Sequence, residues 1–190
     1  AGPEVVGIGQ GEGESPAGKN TLTNVPERES LSANASRSYP GFNMSIPDQY
    51  RAGQFLAEIE ETYRKPGKEL PRFLYIYLPN DHTAKPRPED GYPFRASFVA
   101  DNDLALGRIV EYLSQSPWWK EMAILVTEGD ARGGVDHVDS HRSILLAVSP
   151  YARRNYASHR NAGFPGLLKT AFRILRVPPL NLDDASAADL

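Results

Sequence analysis

The chain has 190 residues, of which 40% are hydrophobic and 24% charged, as in ordinary globular domains and unlike disordered or fibrous proteins. Its 21 basic and 24 acidic residues give a net charge of −3, which disfavours non-specific binding to nucleic acid or to an anionic membrane. The sequence has no cysteine, which excludes disulfide scaffolds, thiolate metal sites and thiol catalysis. No apolar run is long enough to predict a transmembrane segment.

The first 46 residues are rich in Gly, Pro and Ser. Such a composition offers little apolar surface to offset the entropy lost on ordering, so it predicts an irregular segment. From residue 47 onwards the pattern becomes that of a packed domain. Apolar side chains recur at helical spacing through residues 49–65, and Pro66-Gly67 is expected to end this helix. Residues 73–78, a run of β-forming apolar side chains, predict a buried strand.

A long loop is expected after this strand, followed by a second amphipathic helix. Asp101 and Asp103 are both suitable N-caps for that helix, which should end near Ser114. The same patterns then predict buried strands at residues 123–127 and 143–148 and a last helix at residues 165–175. This order of helices and strands predicts a layered α/β fold with a mostly parallel sheet.

Acidic and histidine side chains concentrate where the predicted strands end. Asp81 and His82 follow the first strand, and a second set follows the strand at 123–127: Glu128, Asp130, Asp136, His137, His141 and Arg142. Ligands of open α/β sheets bind beyond the carboxyl ends of the strands. Carboxylates combined with imidazoles suit zinc, manganese or iron, whereas carboxylates alone suit calcium or magnesium. A divalent ion there would polarise a phosphoryl oxygen and activate a nucleophile.

The second set of residues has three other interpretations besides the metal site described above. His137 and His141 are four residues apart, as in zinc proteases, but Val138 stands where those enzymes carry a general-base glutamate. The acidic spacing does not match an EF-hand loop. A third alternative stays open, in which the acidic residues and Arg142 only stiffen their loop through hydrogen bonds and ion pairs.

Five segments, in this order along the chain, carry a further pattern: LPNDHTAKPRP (78–88), VADNDLALGRIVEYLSQSPWW (99–119), VTEGDARGGVDHVDSHR (126–142), SPYARR (149–154) and PPLNLDDASAADL (178–190). From about residue 47 to residue 190 the chain resembles the C-terminal half of the bacterial phosphoesterase family. That family includes acid phosphatases and phospholipases C and belongs to the alkaline phosphatase superfamily. The resemblance implies an α/β/α sandwich and metal-dependent hydrolysis of phosphoric esters.

The resemblance also implies roles for individual residues. Asp81 and His82 would lie in one ligand loop, and Asp130 and His137 in the other, around a divalent ion such as zinc, manganese, calcium or iron. The residues that orient these ligands or contact the phosphate-ester substrate would be Glu128, Asp136, His141 and Arg142. The Ser or Thr nucleophile of the family belongs to an N-terminal half without a counterpart here, so a partner segment or self-association is expected to complete the fold. Family habit and the lack of cysteine imply a secreted or periplasmic protein.

One departure from the family pattern bears on activity. Relatives usually read Glu-Asp-Asp-Ala-Gln where this chain reads Glu-Gly-Asp-Ala-Arg at residues 128–132. Gly129 has no side chain to bind an ion, and Arg132 adds a positive charge, so both weaken a cation site. Two functions therefore stay open: metal-dependent hydrolysis, and a non-catalytic structural, binding or assembly role in a relative that has lost its metal.

Overall fold

The computed structural model describes residues 29–129 and 143–190. The chain divides into two compact units, unit 1 (Ala1–Trp119) and unit 2 (Lys120–Leu190). Unit 1 contains three α-helices in its described part: α1 (Glu29–Ser32), α2 (Asp48–Glu58) and α3 (Arg95–Ser114). Short 3-10 turns lie at Pro79–His82 and Pro88–Asp90.

Helix α2 confirms the first predicted helix. It continues as one π-helical turn, Ile59–Tyr63, and ends before Pro66-Gly67 as expected. Its apolar stripe is buried at Ala52, Phe55 and Ile59, and the helix packs against α3. Together with these residues, the core of unit 1 consists of Tyr39, Ile46, Tyr92, Phe98, Ala105, Ile109 and Leu113.

Helix α3 begins at Arg95, well before the predicted start. Its first turn is closed by Ser97, whose Oγ accepts a hydrogen bond from the backbone N–H of Phe94 at 3.3 Å. Asp101 and Asp103 lie inside this helix, so the prediction that one of them is its N-cap is wrong. The early start extends the buried face of the helix to Phe98, one turn before Asp101.

Unit 2 contains a two-stranded antiparallel sheet and two helices in its described part. Strand β1 (Ile124–Thr127) pairs with β2 (Leu145–Val148), so that residue 124 lies opposite 148 and residue 127 opposite 145. Helix α4 (Phe164–Leu175) confirms the last predicted helix. A further helix, α5 (Leu182–Ser186), is capped by Asn181, whose Oδ1 accepts from two backbone N–H groups of the first turn.

The predicted α/β/α sandwich with a mostly parallel sheet is wrong for the described residues. Their sheet has two strands, β1 and β2, and these are antiparallel. Residues 73–78 form no strand, and Tyr75 within them is 37% exposed. An apolar run of β-forming side chains becomes a strand only if another strand supplies its hydrogen bonds, and composition does not specify that neighbour. Two strands that follow each other in a chain also pair readily as an antiparallel hairpin.

Gly166 in α4 lies where the C-terminal tail packs on the helix. A Cβ at this position would lie 2.4 Å from the carbonyl oxygen of Ala188. We expect Gly166→Ala to displace the tail and to lower the unfolding free energy of unit 2 by about 2 kcal/mol, although alanine normally favours a helix. Amide hydrogen exchange in α4 and residues 186–190 measures this loss. Gly163→Ala is the control, because its Cβ would meet Pro165 Cδ at an ordinary 3.7 Å. Equal exchange rates in the two variants would contradict the close packing.

Candidate functional site

The 3-10 turn Pro79–His82, here called the Asn80 turn, carries the first pair of predicted metal ligands. Asp81 and His82 are adjacent and half-buried on it. The His82 ring packs edge-on against Phe42, with ring centroids 5.5 Å apart. The turn closes through a 3.0 Å hydrogen bond from the backbone N–H of Thr83 to the Asn80 carbonyl oxygen. The turn therefore carries a carboxylate and an imidazole on consecutive residues.

Asn80 itself is fully buried and fixes the turn to both long helices of unit 1. Its backbone N–H donates to Asp48 Oδ2 of α2 at 2.8 Å, and its side-chain Nδ2 donates to Asp101 Oδ2 of α3 at 2.7 Å. Asn102 adds a link from α3, because its Nδ2 donates to Asp48 Oδ2 and to the Leu78 carbonyl oxygen, both at 2.9 Å. The buried carboxylates of Asp48 and Asp101 thus bind Asn80 within the turn, and the Asn102 amide binds Leu78, the residue just before it.

Asp101 caps a helix, but that helix is α2. Its Oδ2 accepts from the backbone N–H of Asp48 at 2.6 Å, and its Oδ1 accepts from the backbone N–H and the Nε2 of Gln49 at 3.4 and 3.2 Å. The N-cap position of α2 is Pro47, which has no side-chain acceptor, so the first N–H groups of α2 take their acceptor from α3. Tyr92 also donates its hydroxyl to Asp101 Oδ2 at 3.2 Å.

Arg51 joins the irregular chain before α2 to the helix itself. Its guanidinium is fully buried and forms an ion pair with Asp48 at 3.1 Å. Its remaining hydrogen bonds go to backbone carbonyl oxygens: Nε to Pro40 (3.2 Å), Nη1 to Ile46 (2.7 Å), and Nη2 to Gly41 (2.6 Å) and Asn43 (3.0 Å). The planar guanidinium suits this role, since its N–H groups point outward in fixed directions.

Burial dominates the electrostatics of this network. It raises the pKa of Asp48 to about 6, against the opposing effects of Arg51 and the N–H donors of Asn80 and Asn102. Burial also raises the pKa values of Tyr39 and Tyr92 far above the physiological range. Both phenols therefore act as donors: Tyr92 to Asp101, and Tyr39 to the carbonyl oxygen of Tyr77 at 2.7 Å.

The raised pKa of Asp48 predicts that unit 1 loses stability as the pH rises. The unfolded chain releases this proton near the ordinary value of 3.8, but the folded unit keeps it to about pH 6. The stabilisation is therefore complete below about pH 4 and is lost as the pH passes 6. We expect the unfolding free energy to fall by about 2–3 kcal/mol between pH 4 and pH 7.

Urea unfolding followed by tryptophan fluorescence measures this loss, because the two tryptophans of the chain, Trp118 and Trp119, both belong to unit 1. The variant Asp48→Asn should remove most of the pH dependence, since it has no proton to release in this range. An unfolding midpoint that rises from pH 4 to pH 7 in the natural chain would contradict the assignment.

The second predicted ligand segment is described only at its ends. Glu128 follows β1, and its Oε2 accepts a hydrogen bond from Ser143 Oγ at 3.2 Å. The pairing of β1 with β2 therefore brings the two ends of the segment together. Gly129 is exposed, and an added Cβ would meet no atom of the described residues within 4 Å. The other predicted residues lie outside the described ranges: Asp130, Asp136, His137, His141 and Arg142.

The donors of the Asn80 turn suit a divalent ion in their chemistry. A carboxylate oxygen and an imidazole nitrogen are ligands for zinc, manganese or iron. Beside them, Asn80 Oδ1 is a buried amide oxygen that accepts no hydrogen bond from the described residues. Residues 29–129 and 143–190 contain no convergent group of three or more His, Asp or Glu side chains. An ion at this turn would therefore need further ligands.

Asp101 and Asn80 hold the turn through buried hydrogen bonds, a role that the sequence did not predict for either residue. The signal for Asp101 was its position, since it lies at helical spacing from Phe98, Ala105 and Ile109 on the buried face. A carboxylate on an apolar face predicts buried hydrogen-bond donors that face it. Asn80 carried no comparable signal.

Comparisons with known proteins give no relative for this chain. No family model matches it, and no curated protein or solved structure shows significant similarity. The resemblance to phosphoesterases therefore depends on the motifs quoted above. In the described parts of both units, no helix has the length and apolar character needed to cross a membrane.

Proposed function

We propose that this chain supplies metal ligands to a phosphoesterase that hydrolyses phosphoric esters, with Asp81 and His82 as ligands. The observation that carries the proposal is the Asn80 turn, where an adjacent carboxylate and imidazole are anchored through a fully buried residue. Ligands held in place before binding lose little entropy when the ion arrives. A bound divalent ion would polarise the phosphoryl group of the substrate.

The segment after β1 in unit 2 carries a second set of proposed residues. Asp130 and His137 are its metal ligands, and the residues that orient them or contact the substrate are Glu128, Asp136, His141 and Arg142. The described residues at the two ends of this segment, Glu128 and Ser143, are joined by a hydrogen bond. We assign the nucleophile to a partner segment, because the Ser or Thr nucleophile of the phosphoesterase family belongs to an N-terminal half that has no counterpart in this sequence.

Hydrolysis assays test this function. In the native assembly that contains this chain and its partner segment, we expect metal-dependent release of nitrophenol from p-nitrophenyl phosphate or bis(p-nitrophenyl) phosphate in zinc, manganese or calcium, above the rate of the metal alone. Gly129→Asp restores the carboxylate of the family pattern at an exposed position with room for it, so it should raise turnover at low metal concentration. Gly107→Asp is the matched control, because Gly107 is also exposed with open space. An assembly that shows no metal-dependent turnover, with either the natural chain or Gly129→Asp, would contradict the proposal.

A non-catalytic assembly role is the second candidate, and the surface of unit 2 favours it. Tyr151, Leu180 and Leu182 are 80%, 73% and 84% exposed, and Ile174 is 57% exposed. Exposed apolar side chains that lie together in one patch mark an association site. Light scattering after gel filtration should then show a mass above the 20.9 kDa of one chain, reduced by Leu182→Lys but not by Leu104→Lys in unit 1. A monomer at all concentrations would contradict self-association.

A further inference from the structure

The two acids behind the Asn80 turn have their oxygens occupied by donors. Asp101 accepts hydrogen bonds from Gln49, Asn80, Tyr92 and the backbone of Asp48. Asp48 Oδ1 accepts from Arg51, and its Oδ2 accepts from Asn80 and Asn102. A cation would have to displace these donors to bind either carboxylate. The acids are therefore supports of the turn and not ligands.

Asp48 and Asp101 both accept hydrogen bonds from Asn80. Asp48 holds the backbone N–H of Asn80, and Asp101 holds its side-chain amide, so the residue is fixed at two points from two helices. On the far side, Thr83 donates its N–H to the Asn80 carbonyl oxygen and has a φ of 59°. A β-branched residue seldom adopts a positive φ, and such conformations persist where the surrounding structure holds them. The direction of Asp81 and His82, between these fixed points, depends on Asn80.

We propose that Asn80 is the positioning residue of the metal turn: it orients the Asp81 carboxylate and the His82 imidazole while Asp48 and Asp101 hold it. The inference rests on the proposed function, because positioning matters only if these two side chains bind an ion. It assigns Asn80 a role in ligand geometry in addition to its hydrogen bonds in the core. Outer partners of metal ligands commonly alter metal affinity 10- to 100-fold when they are changed.

Cobalt(II) binding to the full chain tests the inference, because cobalt reports both affinity and ligand geometry through its visible spectrum. We expect Asn80→Ala to weaken cobalt binding at least about tenfold and to alter the spectrum. Ile109→Ala is the control for lost stability, because Ile109 is buried in α3 outside the network. It should leave affinity and spectrum unchanged under conditions where both variants are folded. If Asn80→Ala binds cobalt with the affinity and spectrum of the natural chain, the inference is overturned, although the proposed function stands.

A measurement without metal tests the positioning role of Asn80 separately from metal binding at the turn. The His82 ring should give one dispersed NMR resonance in the natural chain, and Asn80→Ala should move it towards the position of an unfolded histidine. The exposed His159 serves as the internal reference. If the natural chain binds no cobalt, the proposed function fails and the His82 resonance still decides the positioning role. If Asn80→Ala does not fold, Asn80→Ser, whose hydroxyl can still donate to Asp101, should show the same changes to a smaller degree. An unchanged His82 resonance in a folded Asn80 variant rejects the role.

Discussion

Replacing Arg51 with alanine is expected to lower the unfolding free energy of unit 1 by about 3–5 kcal/mol. The change leaves the buried Asp48 carboxylate without its cation and removes the donors to four backbone carbonyl oxygens in the chain before α2. Buried acceptors that lose their donors keep their desolvation cost without compensation. Urea unfolding monitored by the tryptophan fluorescence of unit 1 gives the loss directly.

Arg64→Ala is the matched control for this prediction. Arg64 follows the π-helical turn of α2, and its side chain is 37% exposed and lies 3.5 Å from Glu60. Exposed ion pairs of this kind contribute about 0–1 kcal/mol. A loss below about 1 kcal/mol for Arg51→Ala, or equal losses for the two arginines, would show that Arg51 does not anchor the chain before α2.

Asp101→Ala is expected to lower the unfolding free energy of unit 1 by about 3 kcal/mol. The change removes the cap of α2 and the acceptor of the Gln49, Asn80 and Tyr92 side chains. The backbone N–H of Asp48, the Asn80 amide and the Tyr92 hydroxyl all lose their partner in a buried setting. Asp103→Ala removes the same charge from an exposed position of the same helix. It should change stability by less than about 0.5 kcal/mol.

The pair of aspartates tests the cap assignment directly, since both were plausible caps of α3 from sequence. Circular dichroism at 222 nm should show that Asp101→Ala frays helix α2, and hydrogen exchange should locate the loss in its first turn. If Asp103→Ala proves as damaging as Asp101→Ala, or if the first turn of α2 keeps its protection in Asp101→Ala, the capping of one helix by the other is wrong.

Local periodicity predicted the helices that are amphipathic along their whole length. Helices α2 and α4 were expected almost where they lie, because their apolar residues recur every three or four positions. The start of α3 was missed because Gly91 and Pro93 indicate a loop and Phe98 was not counted with the later stripe. Strand pairing depends on distant parts of the chain, so the sequence pattern did not exclude an antiparallel arrangement of β1 and β2.

The sequence predicts the candidate ligands of the Asn80 turn but not the residues that hold the turn in place. Asp81 and His82 were predicted as metal ligands from their side-chain types after an apolar run and from the resemblance to phosphoesterases, and this assignment stays a prediction. The supports of the turn were not identified, since they come from residues far apart in sequence. Arg51 gave no sign of burial, because an arginine on a helix is ordinarily exposed, and its carbonyl partners lie in an irregular segment.

The most direct test of the central claim is the metal content of the protein. Equilibrium dialysis against zinc or manganese, followed by elemental analysis, should show ions bound in a fixed ratio to the natural chain. His82→Ala should reduce this binding at least about tenfold, while the exposed His159→Ala should leave it unchanged. A natural chain that retains no ion, or a His82→Ala variant that retains as much as His159→Ala, would contradict a metal site at the Asn80 turn.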